Sequence, residues 1–413
     1  MKICIIGGGA SGIVAAIAAA RKGATVTVLE HKDKIGKKIL ATGNGRCNLT
    51  NLHMTPDCYR GDHLDIVNTV LDQFNEKDTI TFFEKLGVMT KARGDYIYPR
   101  TDQASVILDV LLKELNRLHV EMEADNHVIS LEKTKKGFRI ITRTKEKEIR
   151  KYYADKVILS SGGKASPALG SDGSGYDLAK SMGHTLSPVV PALVSLKGEG
   201  KYFSKIAGVR ADAKVSLYVD DIESGSDTGE LQLTNYGISG IPVFQISRYA
   251  SKGLYRKKKV VVQIDFLPTI SEEDFQQCLL QRRKERRDDT AEEILTGIFH
   301  QKIIPVLLEH AGIRCRTKIS SISCEGILQL VKCCKAFPVR ITAANSFEQA
   351  QVCAGGVRTD EVNPHTLESL YVPGFYLKGE LLDIDGICGG YNLQWAWATG
   401  YLAGRDASRK EKI

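Results

Sequence analysis

The sequence predicts an α/β protein from three observations. These are a glycine-rich strand–turn–helix–strand unit at the N-terminus, a meander of short strands returning to the same sheet, and a second glycine-rich turn opening a helix near the C-terminus. Ile3-Cys4-Ile5-Ile6 enters Gly7-Gly8-Gly9-Ala10-Ser11-Gly12, an alanine-rich helix follows, and a second apolar run stops at Glu30. This is the pattern of a dinucleotide-binding βαβ unit. Gly7 permits the tight turn, Gly9 lets the backbone approach a pyrophosphate, and Gly12 lets helix and strand pack closely. The helix then begins with free N–H groups and its positive dipole end aimed at the phosphates. Glu30 lies 18 residues after Gly12, where a carboxylate accepts hydrogen bonds from ribose hydroxyls. Such an acid favours an unphosphorylated ribose, as in FAD or NAD, over NADP.

At 413 residues the chain is long enough for two or three domains. Hydrophobic content of 43% and charged content of 26% exclude the disordered and fibrous classes. The apolar stretch before the glycines is too short for a signal peptide, and no run approaches the ~20 apolar residues of a membrane span, so a cytoplasmic location is expected. The ten cysteines include no C-x-x-C pair and no zinc-like cluster with histidine, so no metal is expected, and most thiols should pack as small hydrophobes. A net charge of +8 raises the question of nucleic acid, and Arg282-Arg283-Lys284-Glu285-Arg286-Arg287 is the densest basic run. Asp288-Asp289 follows at once, and mixed signs on a helix read as a solvated face, so no nucleic-acid partner is expected. The basic excess suits attraction of anionic cofactors or substrates equally well.

The segment Gly36–Asn51 is too rich in glycine and asparagine for a regular element, and its length and basic residues suggest a loop that wraps a ligand. Leu64, Val67, Leu71 and Phe74 mark one helix, and Ile107, Leu111, Leu115 and Leu118 mark another over Ser105–Leu118. Between Val120 and Ser160 short strands predominate, the last ending in Ser161-Gly162-Gly163, where backbone can pass close to the same cofactor. Ser171–Gly175 opens a helix that stops at Gly183. Alternation at Val215, Leu217 and Val219 and the run Val260–Phe266 predict an antiparallel sheet or small barrel over 191–268. Helices are predicted over 271–310, where Ser271 with Asp274 and Thr290 with Glu293 fit capping boxes. Residues 191–340 are therefore expected to be an inserted domain, with 269–340 mostly helical, inside a domain formed by 1–190 and 341–413. Gly379–Gln394 leads into a helix of small residues from Trp395 to Gly404, and a start at Gly390 would point its positive end at a flavin carbonyl.

Taken together, Gly7–Gly12, Thr42–Asn48, Ser171–His184, Thr234–Gly240 and Gly379–Gln394 resemble the bacterial FAD-binding family that includes aminoacetone oxidase and the BaiN-like (YhiN-like) NAD(P)/FAD-dependent oxidoreductases. Gly170–His184 is more distantly similar to the fumarate reductase group. The resemblance implies a Rossmann-like, glutathione-reductase-like FAD-binding domain interrupted by an inserted β-barrel and helices, with one FAD held non-covalently. It implies that Gly7, Gly9, Ala10, Ser11, Gly12, Glu30 and His31 serve the pyrophosphate and adenosine, and that Lys38, Asn44, Gly45, Arg46, Cys47 and Asn48 lie along the flavin. Val128 would contact adenine through its backbone, and Ser161, Gly162 and Gly163 would pass beneath the cofactor. Glu380, Gly390, Tyr391, Asn392 and Leu393 would surround the ribityl chain and pyrimidine ring. Lys37-Lys38 stands where Arg-Lys is also common, and Ser160-Ser161-Gly162-Gly163 where Ala-Thr-Gly-Gly is frequent.

A second Gly-x-Gly-x-x-Gly unit for NAD(P)H is absent from the insert, so the expectation is transient nicotinamide stacking in the substrate cleft or direct reduction by the substrate. Tyr236, Cys47, Tyr391 and Asp383 are the candidate catalytic groups, and each has a structural alternative: turn residue, packed thiol, helix-start contact and loop cap. The leading expectation is reduction of a conjugated double bond in a small organic substrate with NAD(P)H. The alternatives are an aminoacetone-type amine oxidase using dioxygen and a non-catalytic flavin-binding regulator that docks through Arg282–Arg287.

Overall fold

A computed structural model describes residues 1–409. The chain divides into two compact units, one formed by Met1–Val190 together with the chain from Phe347 onward, the other by Pro191–Ser346.

The first unit is built on a five-stranded parallel sheet in the order Phe375–Leu377, Lys156–Leu159, Lys2–Ile6, Thr25–Leu29, Glu121–Glu123. Ile3, Cys4, Ile5 and Ile6 are all buried, the mark of a parallel strand covered on both faces. Helix Ala10–Ala20 makes the crossover from the first strand to the second, and Ala104–Arg117 buries Ile107, Leu111 and Leu115 along one stripe. The expected meander is an antiparallel sheet of Asn126–Thr134, Gly137–Thr144 and Ile149–Ala154, with a register shift between Val128 and Ser130.

Two elements differ from the expectation. The loop after Glu30 contains a short helix, Lys37–Ala41, and a 3-10 turn, Thr42–Gly45. Gly36 turns the chain at φ 79° and buried Ile39 anchors the helix, a local fit that composition alone does not reveal. Helix Glu76–Lys85 was not anticipated. It starts at Asn75 with a complete capping box closed by Asp78, in place of the usual Glu or Gln.

In the second unit, six strands close a barrel in the order Leu196–Gly198, Gly237–Ser239, Ile222–Leu233, Arg210–Val219, Val260–Asp265, Phe337–Ala344. Val215, Leu217, Val262 and Ile264 fill it, as period-two alternation requires. Helices Glu272–Glu285, Ala291–Leu295, Ile304–His310 and Cys324–Lys335 precede the strand that returns to close it. Thr290 and Glu293 form a full capping box, whereas Ser271 accepts the Asp274 amide and donates its hydroxyl to the Asp274 carboxylate. Of the basic run, Arg282 donates to the Ile294 carbonyl at 2.5 Å and Arg286 pairs with Asp289.

The last helix, Tyr391–Ala407, packs on Ala10–Ala20. A Cβ at Gly400 would stand 2.5 Å from the Ser11 carbonyl oxygen, and one at Gly404 would stand 2.2 Å from that of Ala15. Replacing Gly404 by valine should therefore destabilise this unit by about 3 kcal/mol, through overpacking against backbone that cannot yield. A lowered thermal midpoint with barrel spectroscopic signals retained is the expected result.

Candidate cofactor site

The first strand ends at Gly7, whose φ of 102° and amide bond to the Leu29 carbonyl at 2.8 Å turn the chain sharply. A Cβ at Gly12 would lie 2.0 Å from the Gly7 oxygen, so glycine is required there, whereas no atom of the described residues lies within 4 Å of the Cβ position at Gly9. Gly9 is also the N-cap of Ala10–Ala20, without a side-chain cap bond and without an acid in the first turn. The turn is thus open on the side where free N–H groups and the helix dipole favour an anion. Buried Glu30 stands beside it, with Oε2 accepting the Gly8 amide at 2.8 Å and Oε1 accepting the Lys32 amide at 2.9 Å. His31 Nδ1 lies 3.3 Å from the same Oε1. Val128 is buried beside the register shift in its strand, an irregularity that frees backbone from regular pairing.

Lys38 projects from its short helix to Glu380 Oε2 at 2.8 Å and to the Ala165 carbonyl at 3.1 Å. Glu380 Oε1 in turn accepts the Cys353 amide at 3.0 Å. These groups surround Gly163, where a Cβ would meet Glu380, the Tyr176 hydroxyl and the Cys353 sulfur at 3.1 to 3.2 Å. Gly162 adopts φ 72° in the same turn, and Ser161 packs against Gly175, whose Cβ would lie 1.7 Å from the Ser161 hydroxyl. Asn44, Gly45 and Arg46 are exposed, while Cys47 and Asn48 are buried. Asn44 and Cys47 both hold positive φ, 53° and 58°, a backbone state that costs non-glycine residues energy and that clusters at functional sites.

The loop and the C-terminal motif meet. Asn51 Nδ2 donates to the Gly389 carbonyl at 3.0 Å, and a Cβ at Gly390 would lie 2.9 Å from Asn48 Oδ1. Gly390 caps the last helix with φ 97° and no side-chain bond, leaving the helix start bare. The Asn392 amide closes on the Gly386 peptide in both directions, at 2.9 and 2.8 Å, and so shapes the turn. Leu393 follows, half-buried.

Among the candidate catalytic groups, Tyr391 donates its hydroxyl to the His53 carbonyl at 3.0 Å, and burial raises its phenol. Asp383 accepts the Asp62 amide at 3.3 Å. Cys47 is wholly buried, and burial pushes its thiol up to about 12. Tyr236 belongs to the barrel unit, where its hydroxyl accepts from Asn345 at 3.0 Å. Sequence reasoning missed Tyr176, Cys353 and Lys378. Lys378 is fully buried at the end of a sheet strand, donates to the Ser11 carbonyl, and has its ammonium pushed well below the ordinary lysine range by burial.

Two features test whether these residues suit a flavin nucleotide. Gly9 leaves a clear approach to the phosphate turn, and the buried atoms Asn48 Oδ1 and Tyr176 OH lack hydrogen-bond partners among the described residues, which buried polar atoms require. Both fit a polar ligand extending from the glycine turn past Gly163 and Gly390.

Fold and site define a flavin-dependent oxidoreductase with a Rossmann-type FAD-binding domain. The chain belongs to the HI0933-like protein Rossmann domain family, whose model matches residues 1–406. It is 54% identical over 411 residues to 3-dehydro-bile acid delta(4,6)-reductase of Clostridium scindens, covering 99% of each chain. It is 28% identical to the ribosomal RNA dihydrouridine synthase of Escherichia coli, covering 97% of this chain and 96% of that one. A flavocytochrome c3 fumarate reductase shares the fold with a TM-score of 0.53 at 14% identity, over 98% of this chain and 78% of that chain. No helix among the described residues is long and apolar enough to cross a membrane.

The buried thiols set an alkaline limit. Burial raises Cys4, Cys47 and Cys353 each to about 12 from 9.0, so the folded state holds their protons while the unfolded chain releases them above pH 9. Each should remove about 1.4 kcal/mol of stability per pH unit as pH rises from 9 towards 12, with the contribution complete below pH 9. Urea midpoints measured at pH 8, 9 and 10 should fall slightly in the first interval and about three times as far in the last.

Proposed function

We propose that this protein is an FAD-dependent reductase that saturates a carbon–carbon double bond conjugated to a carbonyl group in a small organic substrate, with NAD(P)H as electron donor and FAD held non-covalently. The observation that carries the reading is the 54% identity, end to end, to a reductase of a 3-dehydro-bile acid delta(4,6) system, on a chain whose two glycine turns and Glu30 fit the nucleotide. Chemically, a 3-ketone with 4,6-unsaturation is an extended enone. The name of the dihydrouridine synthase points to the same bond class, a ring double bond beside a carbonyl that becomes saturated.

Bound FAD supplies a ring that accepts and returns a hydride. The chain's own residues bind and orient it. The Gly7–Gly12 turn and the start of Ala10–Ala20 hold the pyrophosphate, and Glu30, already fixed by the Gly8 and Lys32 amides, accepts the ribose hydroxyls. Lys38 and Glu380 hold each other at 2.8 Å and present a charge pair to the polar middle of the cofactor. Asn48 Oδ1 and the Tyr176 hydroxyl supply the unmatched acceptor and donor, and the bare helix start at Gly390 places partial positive charge beside the ring.

Anaerobic mixing with NADH or NADPH should bleach the oxidised-flavin absorbance, and a 3-oxo-4,6-diene steroid should restore it with loss of the enone chromophore. Retention of colour with both nucleotides refutes the proposed donor, and bleaching by an amine instead, with colour restored and peroxide released when dioxygen is admitted, would favour the oxidase. Glu30→Ala should weaken FAD binding about 10- to 100-fold, the worth of a charged hydrogen bond, as read by quenching of flavin fluorescence.

A further inference from the structure

We propose that the outward face of the three-stranded antiparallel sheet, Asn126–Thr134, Gly137–Thr144 and Ile149–Ala154, docks on an anionic lipid bilayer. Charge is the first observation. Residues 126–154 hold nine lysines and arginines against three glutamates, so this sheet and its two hairpins carry a net +6 in a chain whose total is +8. The denser run Arg282–Arg287 is met at once by Asp288 and Asp289, whereas the sheet gathers its excess from three strands. Glu132 pairs with Arg139 and Glu148 with Arg150. That leaves Lys135, Lys136, Lys147 and Lys151 exposed and, among the described residues, outside any ion pair.

The second observation is which apolar groups share that face. Side chains alternate along a strand, so Ile149, Lys151 and Tyr153 point the same way, and Lys151 stands opposite Ile141 on the neighbouring strand. Across the next pairing the register shift sets Ile129 beside Ser130, opposite that same Ile141. Ile129, Ile149 and Tyr153 are 40%, 56% and 66% exposed. The reverse face of the sheet carries Leu131, Phe138 and Ile140, all buried in the core. Val128, the residue expected at the adenine, also turns its side chain to that buried face, so the outward apolar groups stand apart from the nucleotide. Apolar side chains gathered on one solvent-facing surface and rimmed by unpaired lysines mark a contact with something outside the chain.

The chemistry of this face selects a bilayer among polyanions. A single-stranded nucleic acid stacks successive bases on rings, and Tyr153 is the one exposed ring among residues 126–154, while exposed isoleucines have no counterpart on a sugar-phosphate chain. At a lipid interface isoleucine enters between headgroups, tyrosine buries its ring and keeps its hydroxyl wet, and lysine stems lie flat with their ammonium groups at the acidic headgroups. The lysines are placed for this. Lys135 and Lys136 form the hairpin at one end of the sheet, Lys147 belongs to the hairpin at the other, and Lys151 lies between the exposed apolar groups. Each lysine held near an acidic surface raises partition about fivefold. Charge and insertion together are the two signals that stable attachment without a spanning helix requires.

The test is sedimentation of the full-length protein with extruded vesicles, one set of phosphatidylcholine alone and one with about a third phosphatidylglycerol. The protein should pellet with the acidic set alone, and return to the supernatant as salt rises from about 0.1 to about 1 M and the screening length shrinks from about 10 to about 3 Å. Lys135→Glu combined with Lys136→Glu should lower partition at least about twentyfold. Ile149→Ser combined with Tyr153→Ser should lower it about tenfold even at low salt, by removing insertion while keeping every charge. Melting of each double variant checks its fold, and should one fail, the other decides. Lys284→Glu combined with Arg287→Glu reverses as much charge on the other basic run and should leave pelleting unchanged. No pelleting, equal pelleting with both vesicle sets, undiminished binding by the sheet variants, an equal loss in the helix variant, or release from vesicles by polyuridylate bound through the same lysines would overturn the proposal.

Discussion

The contact between the first and last helices is the constraint on which the cofactor unit depends. Backbone meets backbone at Gly400 and Gly404, with the carbonyls of Ser11 and Ala15 occupying the space that side chains would take. This approach brings chain ends separated by nearly the whole sequence into one layer and determines where the last helix can place its polar groups. Gln394 accepts the hydroxyls of Thr50 and Thr79 and donates to the Phe74 carbonyl, Trp395 donates to the Gly379 carbonyl, and Trp397 donates to the Leu49 carbonyl. Each neutral bond adds only about 1 kcal/mol net, but a buried group left without its partner costs about 1–3 kcal/mol, so together they specify one arrangement of the loops. The segment 48–51 and the turn at 379, irregular by sequence, are held by this helix rather than by their own propensities.

Much of the fold was legible because its signals are local. The Gly7–Gly12 turn, the acid at Glu30, the apolar stripe from Ile107 to Leu115 and the alternation at Val215, Leu217 and Val219 each report a period or a spacing that the backbone must obey. What escaped is non-local. Strand Phe337–Ala344 joins the barrel across four intervening helices, a pairing with Leu196–Gly198 and Val260–Asp265 that no window of sequence contains. Helix Glu76–Lys85 was hidden because its capping residue is Asn75 and its reciprocal partner Asp78, a variant of the usual signature.

The site divides along the same line. Glycines whose purpose is to admit a close approach can be read from spacing, because the requirement belongs to their own backbone. Side chains that act through distant partners cannot. Lys378 appears in sequence as one more charged residue, yet it is fully buried under Ser11, and Tyr176 appears as a helix residue although its hydroxyl reaches the turn at Gly163. The candidate acids and bases show the converse. Tyr391 and Asp383 sit in motifs that suggest chemistry, but their polar atoms engage His53 and Asp62, so their visible work is to hold loops against the last helix.

Glu30 shows how one carboxylate can organise two neighbouring tasks. Its oxygens face different ways: Oε2 meets the Gly8 amide in the phosphate turn, while Oε1 meets the Lys32 amide and His31. Because two backbone amides hold it, the carboxylate keeps one orientation. The same rigidity reaches the imidazole of His31, whose Nδ1 faces that carboxylate and whose Nε2 is thereby directed away from it towards Asp172. The acid at the end of the second strand therefore orients the ring of His31 as well as the glycine turn. The turn at Gly8 and the imidazole of His31 are thus brought together by the two oxygens of one buried side chain.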